Sequence, residues 1–487
     1  MAINFGTDGW RAVISDTFTF DNLRIVSQAV ADAVQSGTWL KLSKVEKVEN
    51  PNRIVIGYDT RFLSDRYARE VARILAANGF EVFLSQSAAP TPAISFATRN
   101  YGAIAGVMIT ASHNAPRYNG FKLKAAFGGS ALSEQCDLVE VYMNDNETRG
   151  RGPNILDYEK ARDMGLIKTF NPTIEYGAHL RRLIDFDTIA NAKDLRIVVD
   201  SMYGSGRGVI PNLLQGTGRE VTEIRGELNP GFGGIHPEPI KRYLGSLASA
   251  IGAGLGNLGL ATDGDADRIG AMDERGNFVD PHKIIALAAR YLRQEKGLNG
   301  ALVRTVSTTR MVDVLGRKYG VDVFETPVGF NHIADHMMER EVLIGGEESG
   351  GISFQGHIPE GDGIIMGLLV TEMVAKSGTT LSELVQSLED EIGAFRYDRI
   401  DIRLARPVAK KDMIDMLIRQ APAEIGGVQV AEISTKDGVK YILEDDGWLL
   451  IRPSGTEPVL RVYAEGHSDE MVRTLLNYGN TVADRVK

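Results

Sequence analysis

The feature that most constrains this chain is a pattern it repeats. A short run of small and apolar residues ends in a polar turn, and a segment with helical spacing follows. Residues 103–109 (Ala-Ile-Ala-Gly-Val-Met-Ile) are too few for a buried helix and read as a buried strand. Residues 53–59, 81–84, 195–200, 258–262, 301–306 and 341–345 read the same way. Between them, residues 22–34 put Leu23, Val26, Ala29, Val30 and Ala33 on one helical face. Residues 64–78 read as a helix with Ser64 as its expected N-cap and Gly79 as its stop. Further helices are expected over 179–184, 246–256, 281–292, 309–319 and 363–375. Strands alternating with helices imply βαβ units and a largely parallel sheet. The Lys/Glu-rich stretch 39–52 and the polar stretch 144–153 are expected to be loops.

At 487 residues the chain has room for three or four such domains. From about residue 396 strand-like stretches surround two helical segments, which suggests a smaller α+β unit. The expected fold is α/β, with three similar mixed α/β domains (1–172, 173–275 and 276–395) and a C-terminal α+β domain (396–487). Similarity between the units is too weak for the sequence alone to establish repeats. The net charge of −10 argues against a generic nucleic-acid or acidic-membrane binder. It leaves room for a phosphate ligand, because a few arginines can set the field of one cleft. Cys136 is the single cysteine, which excludes an internal disulfide and a thiolate zinc cluster. No signal peptide and no apolar run of membrane-spanning length is visible, so the cytoplasm is the expected compartment.

In open α/β sheets ligands bind beyond the carboxyl ends of the strands, so the polar turns that end these strands are the places to look for chemistry. After the strand at 103–109 comes Thr110-Ala111-Ser112-His113-Asn114, continuing through Arg117 to Lys122. An ordinary Ser/Asn turn is the plain alternative. After the strand at 258–262 comes Asp263-Gly264-Asp265-Ala266-Asp267-Arg268, whose alternate carboxylates can converge on a hard cation. An acidic surface turn is the plain reading, and an EF-hand fails because its sixth position is Arg268 rather than glycine. Gly346-Glu347-Glu348-Ser349-Gly350-Gly351 offers an acid and a hydroxyl between glycines, or else a loop with a solvated Glu348. Arg452-Pro453-Ser454-Gly455-Thr456 could surround a phosphate with donors.

These four stretches, in this order and at domain-sized intervals, resemble the four active-site loops of the α-D-phosphohexomutases. That family includes phosphoglucomutase, phosphomannomutase and phosphoglucosamine mutase. The resemblance runs from Phe5-Gly6-Thr7-Asp8-Gly9-Trp10-Arg11 to near the C-terminus, and implies four domains around a central cleft. It implies that Ser112 is a phosphoserine exchanging its phosphoryl group with a hexose phosphate, with Arg11 nearby. His113 and Lys122 would position or shuttle the hydroxyl proton. Lys122 beside phosphate should stay charged, which makes electrostatic stabilisation the safer role and leaves a base role open. Asp263, Asp265 and Asp267, with Ser112, would hold Mg²⁺, and Arg268 would bind the transferring phosphate. Glu347 and Ser349 would hold the sugar O3 and O4, Asn331 lies in another sugar-contacting stretch, and Arg452, Ser454, Gly455 and Thr456 would grip the non-reacting phosphate. Arg461 would assist or be an ordinary strand residue.

Two departures from the family pattern stand out. Ala115 stands where many members have Pro. The Gly346–Gly351 loop looks more like the glucose-type phosphoglucomutases, whereas Asn331 replaces the Lys those enzymes often carry. The expected reaction is interconversion of glucose 1-phosphate and glucose 6-phosphate, with glucose 1,6-bisphosphate as intermediate and activator. The expected partners are hexose phosphates, and the expected assembly is a monomer or homodimer. The alternatives are phosphomannomutase, phosphoglucosamine mutase, a metal-dependent sugar phosphatase and a catalytically silent sugar-phosphate binder.

Overall fold

A computed structural model describes residues 3, 5–6, 9–45, 47–404, 409–453 and 459–486. Its chain forms two compact units, Met1–Ile284 with Ser349–Ser382, and Ile285–Glu348 with Glu383–Lys487.

The first unit carries two sheets. One is built from β1 (Gly9–Val13), β2 (Asn50–Tyr58), β3 (Glu81–Ser85), β4 (Ala103–Ile109), β5 (Tyr118–Ala125) and β6 (Ile167–Phe170), in the order β1-β5-β4-β2-β3-β6. β4, β2, β3 and β6 run parallel, while β5 is antiparallel to both β4 and β1. All seven residues of β4 are buried, as a strand covered on both faces requires. The helix Phe20–Gln35 starts at Thr19, whose side chain accepts from the Asn22 amide, and it buries Leu23, Val26, Ala29, Val30 and Ala33. The other sheet is built from β7 (Arg196–Asp200), β8 (Glu220–Ile224), β9 (Leu258–Thr262), β10 (Ile269–Met272) and β11 (Phe278–Val279), in the order β11-β10-β9-β7-β8. The apolar helix Gly363–Ser377 packs on β9 and β10.

In the second unit β12 (Ala301–Thr305), β13 (Val323–Thr326) and β14 (Val342–Gly346) run parallel, with β12 between the other two. β15 (Ile352–Phe354) belongs to the first unit. The chain ends in a sheet of β16 (Arg396–Arg403), β17 (Glu424–Ile425), β18 (Val428–Ser434), β19 (Val439–Leu443), β20 (Trp448–Pro453) and β21 (Val459–Gly466), in the order β16-β21-β20-β19-β18-β17. Its pairs are antiparallel. Val306 packs with Trp448, Leu450 and Tyr463 in one core cluster. Three α/β sheets followed by an antiparallel α+β sheet match the expected fold class. Among the described residues no single helix is long and apolar enough to cross a membrane.

Local expectations fail where a tertiary contact overrides composition. The stretch 39–52 is not one solvated loop: a helix spans Thr38–Leu42, and β2 begins at Asn50. Trp39 is fully buried and donates its Nε1 to the Ile104 carbonyl at 3.2 Å, a burial that outweighs the lysines around it. Of the expected loop 144–153, residues 149–153 are loop, but 144–148 are the last part of a helix, Ser133–Thr148. There Asn146 is buried and donates to Asp32 Oδ2 at 2.7 Å. Ser64 is the first helical residue rather than the N-cap, and its hydroxyl donates to Asp59 Oδ1 at 2.9 Å. The helix expected over 179–184 begins earlier, at Pro172, with Asn171 capping it. Gly120 to Lys122 lie in β5 rather than in the turn after β4.

One buried side chain fixes the turn that follows β4. Arg61 donates Nη2 to the carbonyls of Ser112 and Asn114, both at 2.6 Å, and Nη1 to those of Ala115 and Tyr118, both at 3.0 Å. Its Nε lies 3.1 Å from Asp59 Oδ2, and both side chains are fully buried. Asp59 also accepts from the Arg61 amide and from the hydroxyls of Ser64 and Thr110. Burial pushes the Asp59 carboxyl up and the Arg61 guanidinium down from their ordinary values. The pair therefore survives through its hydrogen bonds.

Arg61→Met leaves Asp59 buried without its cation and is expected to cost about 3–5 kcal/mol of stability in urea unfolding. A loss below about 1 kcal/mol would mean that the pair does not hold the turn. In the second unit Glu325 accepts from Arg304 Nη1 at 2.6 Å and from Lys440 Nζ at 3.0 Å. Burial alone would raise its pKa, but Lys440 and Arg304 prevail and hold it at about 2 against an ordinary 4.5. A depressed folded-state value means that this group stabilises fully above about pH 4.5 and loses its contribution as the pH falls toward 2. Glu325→Gln should flatten the dependence of the melting temperature on pH across that window, and an unchanged slope would refute the assignment.

Candidate active site

The strand β4 delivers Ser112 to the carboxyl end of the first sheet. Thr110 Oγ1 donates to Asp59 Oδ2 at 2.6 Å and accepts from the Ser112 amide at 2.9 Å. With Arg61 behind it, this holds Ser112 at φ 51°, in the left-handed region. A non-glycine residue held there is strained, and such residues cluster at functional sites. Ser112 is 1% exposed, and its Oγ donates to Asp263 Oδ2 at 2.9 Å. The aspartate loop approaches so closely that a Cβ on Gly264 would lie 2.5 Å from the Ser112 carbonyl oxygen. Glycine is therefore required at that position.

Asp263, Asp265 and Asp267 each present one oxygen within 4.8 Å of the others. Asp263 and Asp265 are fully buried. Burial, then repulsion from Asp267 and Asp265, pushes the Asp263 carboxyl well above its usual range. For Asp265 burial acts upward too, but Lys122 and the Thr91 hydroxyl outweigh it and hold its carboxyl far below that range. Buried Oδ1 atoms of Asp265 and Asp267 accept no hydrogen bond among the described residues. Three converging carboxylates with two orphaned oxygens form an all-oxygen donor set that suits a hard cation such as Mg²⁺.

Cationic groups surround the serine and the carboxylates. Lys122 on β5 places Nζ 3.0 Å from Asp265 Oδ2 and 3.1 Å from Asp267 Oδ2. Thr91 Oγ1 donates to Asp265 Oδ2 at 2.6 Å. The Arg268 amide donates to Asp263 Oδ1 at 3.3 Å, and its guanidinium lies 3.7 Å from Glu238 and 3.8 Å from Asp267. Arg11, opposite Gly120 in the pairing of β1 with β5, donates to Asn114 Oδ1 at 3.3 Å. His113 Nδ1 lies 3.4 Å from Ser112 Oγ. Burial, then Arg268 and Arg11, pushes its pKa well below the ordinary imidazole value, so the ring is neutral. Ser112, His113, Lys122, Arg11, Arg268 and the three aspartates thus come together within the first unit. Ser349 is half-buried there, and the amide of Ile269, the residue after Arg268, donates to the carbonyl of its neighbour Gly350 at 3.1 Å.

In the second unit Glu347 Oε1 accepts from the Gly329 amide at 3.0 Å, which brings it to the start of the helix Phe330–Glu339 that carries Asn331. Glu348 is not solvated, because Arg399 Nη1 pairs with it at 2.8 Å. Arg452 donates Nε to Asp437 Oδ2 at 2.7 Å, and Asp437 also accepts from Lys410 and from the Val328 amide. Arg461 stands directly across from Arg452 in the pairing of β20 with β21. Ser454, Gly455 and Thr456 lie outside the described residues. Sequence reasoning missed Arg61, Thr91 and Asp437. Only Arg61 left a signal, in the polar Asp59-Thr60-Arg61 that ends β2 at the sheet's carboxyl edge.

Known proteins resemble the chain along almost its whole length. Residues 2–150, 175–276 and 280–392 match the alpha/beta/alpha domains I, II and III of phosphoglucomutase/phosphomannomutase, and residues 404–477 match its C-terminal domain. A Thermococcus kodakarensis protein named phosphoglucomutase/phosphomannomutase is 32% identical over 476 residues, covering 98% of this chain and 97% of its own. A probable phosphoglucosamine mutase of Methanosphaera stadtmanae is 32% identical over 489 residues, covering 99% and 98%. The crystal structure of a phosphomannomutase-type protein from Thermus thermophilus superimposes with a TM-score of 0.85 at 33% identity, covering 99% of each chain. The chain belongs to the phosphoglucomutase/phosphomannomutase family and is a phosphohexomutase, an intramolecular phosphotransferase.

Proposed function

We propose that this phosphohexomutase interconverts the 1- and 6-phosphates of glucose through phospho-Ser112 and glucose 1,6-bisphosphate. The observation that carries the reading is Ser112 Oγ, strained in its backbone and set against Asp263 among Lys122, Arg268 and Arg11. A hydroxyl so placed can carry a phosphate surrounded by positive charge. In this reading each loop belongs to its own domain, with boundaries near residues 172, 275 and 395.

A free sugar hydroxyl attacks the phosphorus, the new P–O bond forms, the bond to Ser112 Oγ breaks, and the proton lost by the sugar hydroxyl is balanced by one gained at Ser112 Oγ. Neutral His113 is the group placed to exchange a proton with Ser112 Oγ. Lys122, pinned between two carboxylates, contributes charge rather than acting as a base, and Arg268 holds the transferring phosphate. Asp263, Asp265 and Asp267, with a phosphate oxygen on Ser112, would hold Mg²⁺, which offsets negative charge during phosphoryl transfer. The bisphosphate then presents its other phosphate to Ser112, with Glu347, Ser349 and Asn331 holding the sugar. Arg452, Ser454, Gly455 and Thr456 bind the phosphate that is not reacting. Two arginines directly opposed on neighbouring strands repel one another, and an anion between Arg452 and Arg461 relieves that repulsion.

The Gly346–Gly351 loop supports glucose as the substrate. The name of the Methanosphaera relative favours a second reading, glucosamine phosphate, with the same chemistry. Glucose 1-phosphate, glucosamine 1-phosphate and mannose 1-phosphate, each assayed with Mg²⁺ and a trace of its bisphosphate, should give 6-phosphate fastest from glucose. A faster reaction with glucosamine or mannose would overturn the substrate and keep the mechanism. Free phosphate released stoichiometrically without isomerisation would make the protein a phosphatase. Ser112→Ala should lower mutase turnover by about 10⁴-fold or more while hexose-phosphate binding persists. Near-normal turnover in that variant would refute the phosphoserine.

A further inference from the structure

We propose that the buried segment Glu360–Gly363 is the clamp that holds the Asp263–Arg268 loop in shape, with Lys124, Glu360, Asp362 and Tyr176 as its positioning residues. As a statement about cation binding this rests on the reading of the three aspartates given above; as a statement about loop geometry it does not.

The clamp grips the loop through its backbone. The Gly363 amide donates to the Ala266 carbonyl at 3.0 Å, and Ala266 has φ 58°, a left-handed conformation the loop must keep between its carboxylates. A Cβ on Gly363 would lie 2.1 Å from the Arg268 carbonyl oxygen. One on Gly361 would lie 3.0 Å from the carbonyl oxygen of Asp267. The two backbones touch with no room for side chains between them. A shift of the segment would therefore move the peptide units that aim Asp265, Asp267 and Arg268.

Two buried polar arrangements fix the segment. Lys124 is fully buried and donates Nζ to Glu360 Oε2 at 2.5 Å, and Ser95 Oγ donates to the same oxygen at 2.9 Å. Lys124 is two residues beyond Lys122 on β5, so both point from one face of the strand. That face thus binds the aspartate loop directly through Lys122 and its clamp through Lys124. Asp362, also fully buried, caps the helix Gly363–Ser377 by accepting from the amides of Ile364 and Ile365 at 2.8 and 3.0 Å. Its Oδ2 accepts from the Tyr176 hydroxyl at 2.6 Å and lies 2.8 Å from His357 Nε2. His357 Nδ1 is 3.0 Å from His179 Nε2, and His179 Nδ1 is 3.2 Å from Arg182. None of these side chains touches the aspartates, so they act on the site only through the loop they fix. Removing partners that hold ligands from behind costs metal sites about 10–100-fold in affinity.

The test uses the full-length protein freed of metal, Mn²⁺ as the probe, and hydrogen exchange at the amides of 264–268. Glu360→Gln keeps the shape of the side chain and removes its charge; Tyr176→Phe removes one hydrogen bond from Asp362. Glu360→Gln should weaken Mn²⁺ binding by about tenfold and speed exchange at those amides, with the melting temperature of the second unit unchanged. Tyr176→Phe should change both readouts in the same direction by a smaller factor. Wild-type Mn²⁺ affinity and wild-type exchange in both variants would overturn the clamp. If the unmodified protein binds no Mn²⁺, the cation reading falls, and the exchange rates alone still decide whether the segment holds the loop.

Discussion

The site depends first on a buried guanidinium. Arg61 binds four carbonyls of one loop, those of Ser112, Asn114, Ala115 and Tyr118, while Asp59 neutralises it. A turn of backbone carbonyls facing inward would otherwise leave unpaired acceptors out of reach of water, each costing a few kcal/mol. The same contact holds Ser112 in a left-handed conformation that its own side chain disfavours. The Ser112 hydroxyl is thus aimed by groups that lie behind the turn.

The second constraint is electrostatic. Asp263, Asp265 and Asp267 crowd three carboxylates into a buried pocket where repulsion and desolvation act together. Lys122 relieves part of that strain for Asp265 and Asp267, and Asp263 keeps Ser112 Oγ as its partner. More positive charge than this one lysine supplies would lower the repulsion further. In the proposed function a cation, and a phosphate whose own charge is matched by Arg268 and Arg11, would complete the balance.

The strand β5 connects these constraints. It is antiparallel within an otherwise parallel run, and it lies between β4, which carries Ser112, and β1, which carries Arg11. Alternate residues of one face, Lys122 and Lys124, reach the aspartate loop and the segment behind it. One strand thereby ties pieces of chain from three of the family's domains into the compact first unit. In the second unit Asp437 does similar work, joining Arg452 to the turn before Asn331.

The strand and helix alternation, the α/β class and the polar turns that carry Ser112 and the three aspartates were legible in the sequence because each depends on residues within a few positions of one another. Residues 103–109 read as a buried strand and are one. Ser112, the three aspartates and Arg268 could be singled out as candidates because each stands in a polar turn just after a run that reads as a strand. What stayed hidden depends on distance along the chain. Lys122 and Asp265 are 143 positions apart, and Lys124 and Glu360 are 236 apart. No local pattern announces such pairs. Trp39 and Asn146 went astray for the same reason: their neighbours are polar, and only packing against Ile104 and Asp32 buries them. The sequence by itself determined which groups the protein has to work with and the kind of sheet that presents them. The tertiary structure decided which of those groups meet, because only folding removes them from water and makes a single pairing of buried charges more favourable than every other.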